Sequence, residues 1–128
     1  MLSGVSLNAT DTIMFQLGDS GGVETSGYTG SGYQLASPNI VTGTSFSAGF
    51  RMLSGDASGL FTGSLTIHLE DASDNTWIAS GAFTRDSATT QDLLTGRKSL
   101  SATLDRIRIT SAAGTATFDA GEINISYE

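Results

Sequence analysis

A serine inside a glycine-rich string is the first group in this sequence that could do chemistry. Residues 18–22 read Gly-Asp-Ser-Gly-Gly and match the G-x-S-x-G pattern around the nucleophile of many serine hydrolases. Such a serine needs a histidine base within hydrogen-bond reach, and a carboxylate must orient that histidine. The chain holds a single histidine, His68, which follows Ser20 in the sequence.

The order and the surroundings of these residues do not suit hydrolase chemistry. In chymotrypsin-like proteases the histidine precedes the serine, whereas no histidine precedes Ser20 here. The α/β-hydrolase arrangement needs a helix directly after the serine, and residues 23–30, with two glycines and two threonines, do not favour one. We therefore predict that residues 18–22 form a tight glycine turn between two strands, and that the protein is not an enzyme.

A metal site also finds little support. With one histidine and no cysteine, a transition-metal site would need unusual ligands, and His68 reads as a surface side chain of a strand. The acidic segment 70–75 departs from the spacing of an EF-hand loop. Its Asp and Asn residues are typical of a turn, where their side chains bond the local backbone. We expect no cofactor and no metal, although calcium held between distant loops stays an open alternative.

Four residues are candidate contact groups. Tyr28 and Tyr33 lie in a glycine-rich stretch and are predicted to be exposed, where aromatic rings could stack on a sugar. Trp77 could do the same, but a core position suits it at least as well. Arg106 and Arg108 project from one face of a strand and could pair with carboxylates of a neighbour, or simply form a solvated face.

Composition and charge narrow the class of protein. The 128 residues carry 13 Asp and Glu against 6 Lys and Arg, a net charge of −7 that lacks the basic patch needed to bind nucleic acid. No apolar run approaches the roughly 18 residues of a membrane helix, so we expect no membrane insertion. The length indicates a single domain, residues 1–128, with a short N-terminal arm over about residues 1–10.

Alternation of apolar and polar residues predicts an all-β fold. About eight short strands separated by turns favour a single antiparallel β-sandwich, with a jelly roll as the expected version. Residues 46–53 and 61–69 are predicted to form a hairpin. One face of the first strand is expected to carry Phe46, Ala48, Phe50 and Met52, and the inward face of the second Phe61, Leu65, Ile67 and Leu69. Further strands are expected near residues 12–17, 23–35, 76–83, 105–110, 115–118 and 122–127. Residues 90–94 are the one segment that could form a helical turn.

Three stretches resemble a module of tailed-bacteriophage virion proteins. They are residues 75–81 (Asn-Thr-Trp-Ile-Ala-Ser-Gly), residues 98–110, and residues 114–128, which end in Glu-Ile-Asn-Ile-Ser-Tyr-Glu. Residues 19–28 are similar to the entry of the same module. The resemblance implies a structural part of a tail, fibre or capsid, and it carries over no catalytic residue.

The resemblance and the small size together lead to a functional expectation. We expect a non-enzymatic structural protein located in the virion, a small subunit that decorates or cements the capsid or tail. Its partners would be other virion proteins, and a homotrimer is favoured because threefold assemblies are common in this setting. Candidate contacts are the arm at residues 1–7 and the segment at residues 25–33. The alternative is a receptor- or carbohydrate-binding module at a fibre tip, in which Tyr28 and Tyr33 contact a host surface glycan.

Overall fold

The chain folds into eleven antiparallel β-strands within the described residues. The computed structural model describes residues 1–38, 40–86 and 89–127, with the backbone alone at Ile40. No helix occurs in these ranges, so no described helix could cross a membrane. The strands are β1 (Leu2–Leu7), β2 (Ile13–Asp19), β3 (Gly22–Val23), β4 (Tyr28–Ala36), β5 (Ile40–Phe46), β6 (Phe50–Arg51), β7 (Phe61–Asp71), β8 (Thr76–Arg85), β9 (Thr90–Ser99), β10 (Arg106–Ser111) and β11 (Phe118–Ile123).

The strands form two sheets that face each other. The larger sheet has seven strands in the order β11-β1-β7-β8-β9-β4-β5, and the smaller has β10-β2-β3 with β6 also paired to β2. The ring of Phe15 on β2 stacks on that of Phe83 on β8, with centroids 5.8 Å apart, so side chains of both sheets meet in one core. The all-β sandwich predicted from the sequence is confirmed, although the strands number eleven rather than about eight.

Small residues in the larger sheet make room for an aromatic side chain in the core. Gly30 on β4 pairs with Gly96 on β9, and the ring of Phe46 on β5 fills the space above both. A Cβ atom on Gly30 would lie 2.7 Å from a ring carbon of Phe46, and one on Gly96 would lie 2.8 Å from it. The two glycines therefore leave the space that the ring of Phe46 occupies, since a larger residue at either position would push the ring away.

The predicted hairpin between residues 46–53 and 61–69 is wrong. Residues 46–53 do not form one strand, because the chain bends at residues 47–49 and passes from the larger to the smaller sheet. Phe46, Phe50 and Met52 are all buried as the alternation predicted, whereas Ala48 is exposed. β6 pairs with β2, and β7 pairs with β8 and β1.

Both ends of the chain and the segment after residue 89 also differ from expectation. Residues 2–7, expected as part of an arm, form β1 inside the larger sheet, and Leu2, Val5 and Leu7 belong to the core. The last strand ends at Ile123 instead of continuing through residue 127. Residues 90–94 begin the ten-residue strand β9 rather than a helical turn.

Candidate functional site

On the side away from the core, the larger sheet carries three adjacent rows of uncharged residues. The next row on this side contains His68 and the charged Arg97. The strand registers align the three uncharged rows across β7, β8, β9, β4 and β5. We call these fifteen residues the outer face. The first row is Thr66, Ser80, Thr95, Ser31 and Ser45; the second is Ser64, Ala82, Leu93, Tyr33 and Gly43; the third is Thr62, Thr84, Gln91, Leu35 and Val41.

The first row is a line of five hydroxyl groups. Thr66, Ser80, Thr95, Ser31 and Ser45 lie side by side on neighbouring strands. None of their hydroxyls bonds another group in the part of the chain that the structure describes. Many other hydroxyls of the protein do have such partners, mostly carboxylates and carbonyls in turns and loops. The row therefore offers donors and acceptors that are free to bond a molecule from outside.

The ring of Tyr33 lies over its cross-strand neighbour Gly43, which has no side chain to displace it. Its ring carbons Cδ1 and Cε1 lie 2.6 Å from the place where a Cβ atom of Gly43 would be, so the ring occupies the space above that glycine. Tyr33 is 43% exposed and is paired in register with Leu93, which is also exposed. Within the described residues its hydroxyl has no hydrogen-bond partner. The pair thus forms an apolar platform with a polar tip.

Two shallow depressions run along this surface. One, of about 500 Å³, is lined by Tyr33, Leu93 and hydroxyl residues that include Thr66. The other, of about 380 Å³, lies toward His68 and Arg97. Both are lined by Ser80 and Thr95, so they join into one groove across the strands. Each volume falls within the range of about 300–1,000 Å³ that is typical of small-molecule sites.

In the described part of the chain, the edge of β7 that faces β1 has unpaired backbone groups along part of its length. β1 pairs with β7 only at Gly63 and Phe61, and the described residues supply no partner on that side of β7 beyond Gly63. We call residues 65–71 of β7 the open edge. Ile67 packs against the core, while Leu69, on the same face of the strand, is 49% exposed. An apolar strand with a free edge is a template for pairing with another strand.

The segment after β11 also carries apolar side chains without cover. Asn124 exchanges two backbone hydrogen bonds with Met1, and the described residues after it have no backbone partner. Ile123, Ile125 and Tyr127 alternate along the segment, and all three are exposed, Ile125 at 63%. Their spacing of two residues places them on one side of an extended chain, as in a half-buried strand.

Tyr28 is not a surface residue, contrary to the expectation from the sequence. It is 2% exposed and lies in the core, where its ring meets that of Phe50 edge-on at 5.1 Å. Its hydroxyl accepts a hydrogen bond from the backbone N–H of Leu17 at 2.7 Å and donates to the carbonyl of Glu24 at 3.0 Å. Burial raises the pKa of this phenol. Tyr28 holds the two sheets together and cannot contact a ligand.

The two arginines lie together on β10 as predicted, and both have partners within the chain. Arg106 forms an ion pair with its neighbour Asp105, at 2.6 Å between Nε and Oδ1. Arg108 donates from Nε to the side-chain oxygen of Gln16 on β2 at 2.7 Å. Both guanidinium groups are exposed, so they form a solvated face that is already partly paired.

The residues around the Gly-Asp-Ser-Gly-Gly string form a structural network. Asp19 accepts hydrogen bonds from the N–H of Gly21 at 2.8 Å and from the hydroxyl of Ser101 at 2.6 Å, which hold its pKa below the ordinary value. Glu24 binds the N–H of Ser101 at 2.7 Å and forms an ion pair with the buried Lys98. Burial alone would raise the pKa of Glu24, but these bonds outweigh it and lower the pKa.

In the part of the chain that the structure describes, the side chain of Ser20 forms no hydrogen bond with a histidine or a carboxylate. Its neighbour Asp19 is engaged in the turn, and His68 lies on β7 beside the second depression of the outer face. Asp71 in the acidic segment bonds the N–H and hydroxyl of Ser73, as expected for a turn. Across residues 1–38, 40–86 and 89–127, no group of three His, Cys, Asp or Glu is placed to hold a metal ion.

No protein-family model, curated protein or solved structure matches this chain. The virion module therefore remains a resemblance of the quoted stretches, and the surfaces themselves carry the functional argument.

Sequence reasoning singled out Tyr33 but missed the residues that surround it. Residues 90–94, which include Leu93, were considered only as a possible helical turn. In β9 the polar Thr90 and Asp92 occupy inward positions, so the segment lacks the alternation of a typical strand. Both are buried, and Asp92 accepts hydrogen bonds from two backbone N–H groups at 2.7 Å. Gly43 was not noticed at all. The signal for the hydroxyl row was the Ser and Thr content at alternate positions, which also fits any solvated strand.

Proposed function

We propose that this chain is a non-enzymatic structural subunit of a tailed-phage virion that joins copies of itself through strand addition. The virion setting is supported by the resemblance of residues 75–81, 98–110 and 114–128. The observation that carries the proposal is the open edge of β7. Residues 65–71 pair with β8 on one side and have no strand partner among the described residues on the other, while their apolar stripe continues outward to Leu69.

The segment after β11 is the complementary partner for the open edge. Residues 125–127 have no backbone hydrogen-bond partner among the described residues, and Ile123, Ile125 and Tyr127 form an exposed apolar stripe. Strand addition would satisfy the backbone groups of both segments and bury both stripes. Each exposed apolar side chain that becomes buried contributes about 1.5–3 kcal/mol to association, before the cost of ordering is subtracted.

The symmetry of such a contact favours a closed ring. The open edge and the segment 123–127 are different surfaces, so the contact is heterologous, and a heterologous contact closes only around a rotation axis. A homotrimer is the assembly we propose, in agreement with the threefold symmetry common among decoration and fibre proteins. The cemented partners would be capsid or tail subunits that contact several copies at once, since multivalency strengthens modest interfaces.

Light scattering coupled to size-exclusion chromatography tests the proposed assembly. We expect the purified chain to have a mass near three times the 13.2 kDa of one chain. Ile125→Asp should convert the trimer to a monomer, because a buried charge without a partner opposes association. The fold of the variant is checked by its circular dichroism spectrum.

Val41 supplies the matched control. It is 65% exposed, close to the 63% of Ile125, but it lies on β5 at the opposite edge of the sheet. Val41→Asp should leave the mass unchanged. A wild-type chain that is monomeric at millimolar concentration, or equal effects of the two substitutions, would contradict the proposed contact.

A further inference from the structure

We propose that the outer face binds a neutral oligosaccharide, with Tyr33 as the stacking residue and the row of free hydroxyls as its polar contacts. The outer face and the open edge share only Thr66 of β7. The proposed sugar site therefore goes beyond the assembly role and does not depend on it.

The platform of Tyr33 and Leu93 suits the apolar side of a sugar ring. A pyranose presents C–H groups on one face and hydroxyls around its rim, and an aromatic side chain binds the C–H face. Because the ring of Tyr33 rests in the space above Gly43, it is held in place before a ligand arrives. A contact that is already ordered loses less entropy on binding.

The hydroxyl row suits the rim of the sugar. Ser31, Ser80 and Thr95 lie one row away from the platform of Tyr33 and Leu93, and their hydroxyls have no partner among the described residues. Each hydroxyl is both donor and acceptor, as is each sugar hydroxyl, so the two sets can pair in several ways. The groove continues across the four strands β7, β8, β9 and β4, which gives room for more than one sugar unit.

The charge pattern selects a neutral saccharide. None of the fifteen residues of the outer face is charged, although the chain has 19 charged residues and a net charge of −7. At the end of the groove toward His68, the lining includes one basic side chain, Arg97, which forms an ion pair with Glu70 at 2.5 Å. Sulfated or sialylated sugars would therefore meet an acidic protein with no free cation in the groove, and they should bind less well.

A glycan array with neutral, sialylated and sulfated oligosaccharides tests the proposal, followed by calorimetry with the neutral glycans that bind. We expect binding to neutral members alone. Tyr33→Ala should weaken it about tenfold, the size of one aromatic contact. Gly43→Val should weaken it as well without altering Tyr33 itself, because the new side chain would displace the ring.

Two controls separate the site from general effects. Leu60→Ala removes an apolar side chain that is 36% exposed, close to the 43% of Tyr33, but lies outside both the outer face and the proposed contact between copies, and it should leave affinity unchanged. Ile125→Asp should abolish the trimer while each monomer still binds sugar. Absence of binding to every neutral glycan at millimolar concentration would overturn the proposal. Binding that is unchanged in Tyr33→Ala would also overturn it. The same holds if Tyr33→Asp dissociates the trimer and Ile125→Asp does not, because the outer face would then be the contact between copies.

Discussion

Tyr28 and Tyr33 lie on the same strand, and their side chains have opposite roles. Successive residues of a strand point to opposite faces, so the odd spacing between the two tyrosines places them on different sides of the sheet. Tyr28 is buried between the sheets and Tyr33 is exposed on the outer face. Tyr28 and Tyr33 therefore cannot both be exposed on one surface of a regular strand. The odd spacing between them already indicates this in the sequence.

The hydroxyl of Tyr28 should matter for stability. Tyr28→Phe keeps the ring but removes the acceptor of the Leu17 N–H, which then lies buried without a partner. We expect the free energy of unfolding to fall by about 1–3 kcal/mol, measured by chemical denaturation. Tyr33→Phe is the matched control on the same strand. A loss as large for Tyr33→Phe as for Tyr28→Phe would contradict the assigned roles.

At the scale of elements, a polar network joins the turn after β2 to the loop after β9. Asp19 and Glu24 both bind Ser101, and Glu24 also pairs with Lys98 at the end of β9. Lys98 in turn lies over the ring of Tyr28, 5.5 Å from its centroid. The Gly-Asp-Ser-Gly-Gly string thus contributes a turn that locks two sheets together.

This network should make the protein sensitive to acid. Folding lowers the pKa of Glu24 and of Asp19 from ordinary values of 4.5 and 3.8. The stabilisation is therefore complete above those values and is lost as the pH falls through the lower pKa values of the folded state. We expect the free energy of unfolding to decrease from pH 5 downward in denaturation series. The double variant Asp19→Asn/Glu24→Gln should show a shallower decrease, and an unchanged slope would contradict the network.

Alternation in the sequence predicted which strands exist better than how they pair. The stripe of Leu65 and Ile67 on β7 was predicted with the correct face, and both pack against the core. Residues 46–53 kept their alternation across a bend, because Phe46 and Phe50 are buried from opposite sheets. Pairing depends on contacts between distant residues, which a local pattern does not contain.

The same limit applies to the surfaces. Ile123 and Ile125 alternate like core residues but are exposed. Alternation predicts that a strand has an apolar and a polar face, but it does not show that the apolar face is buried. The Ser and Thr content predicted solvated positions. Their alignment into the outer face depends on the pairing registers of five strands, which the sequence does not contain. Tyr33 was therefore the one member of the face that sequence reasoning identified.

At the scale of the whole molecule, we propose different tasks for different surfaces of one acidic sandwich. The open edge and the segment 123–127 would join copies, while the outer face would remain available to a neutral ligand. A neutral ligand would avoid the repulsion that a net charge of −7 imposes on acidic partners.

Electron cryomicroscopy of virions assembled with this chain tests the central claim most directly. We predict density for the chain in threefold copies on the particle, with residues 65–71 of each copy paired to residues 123–127 of its neighbour and with Tyr33 facing solvent. Virions that lack the chain, or copies in which the open edge of β7 faces solvent, would contradict it.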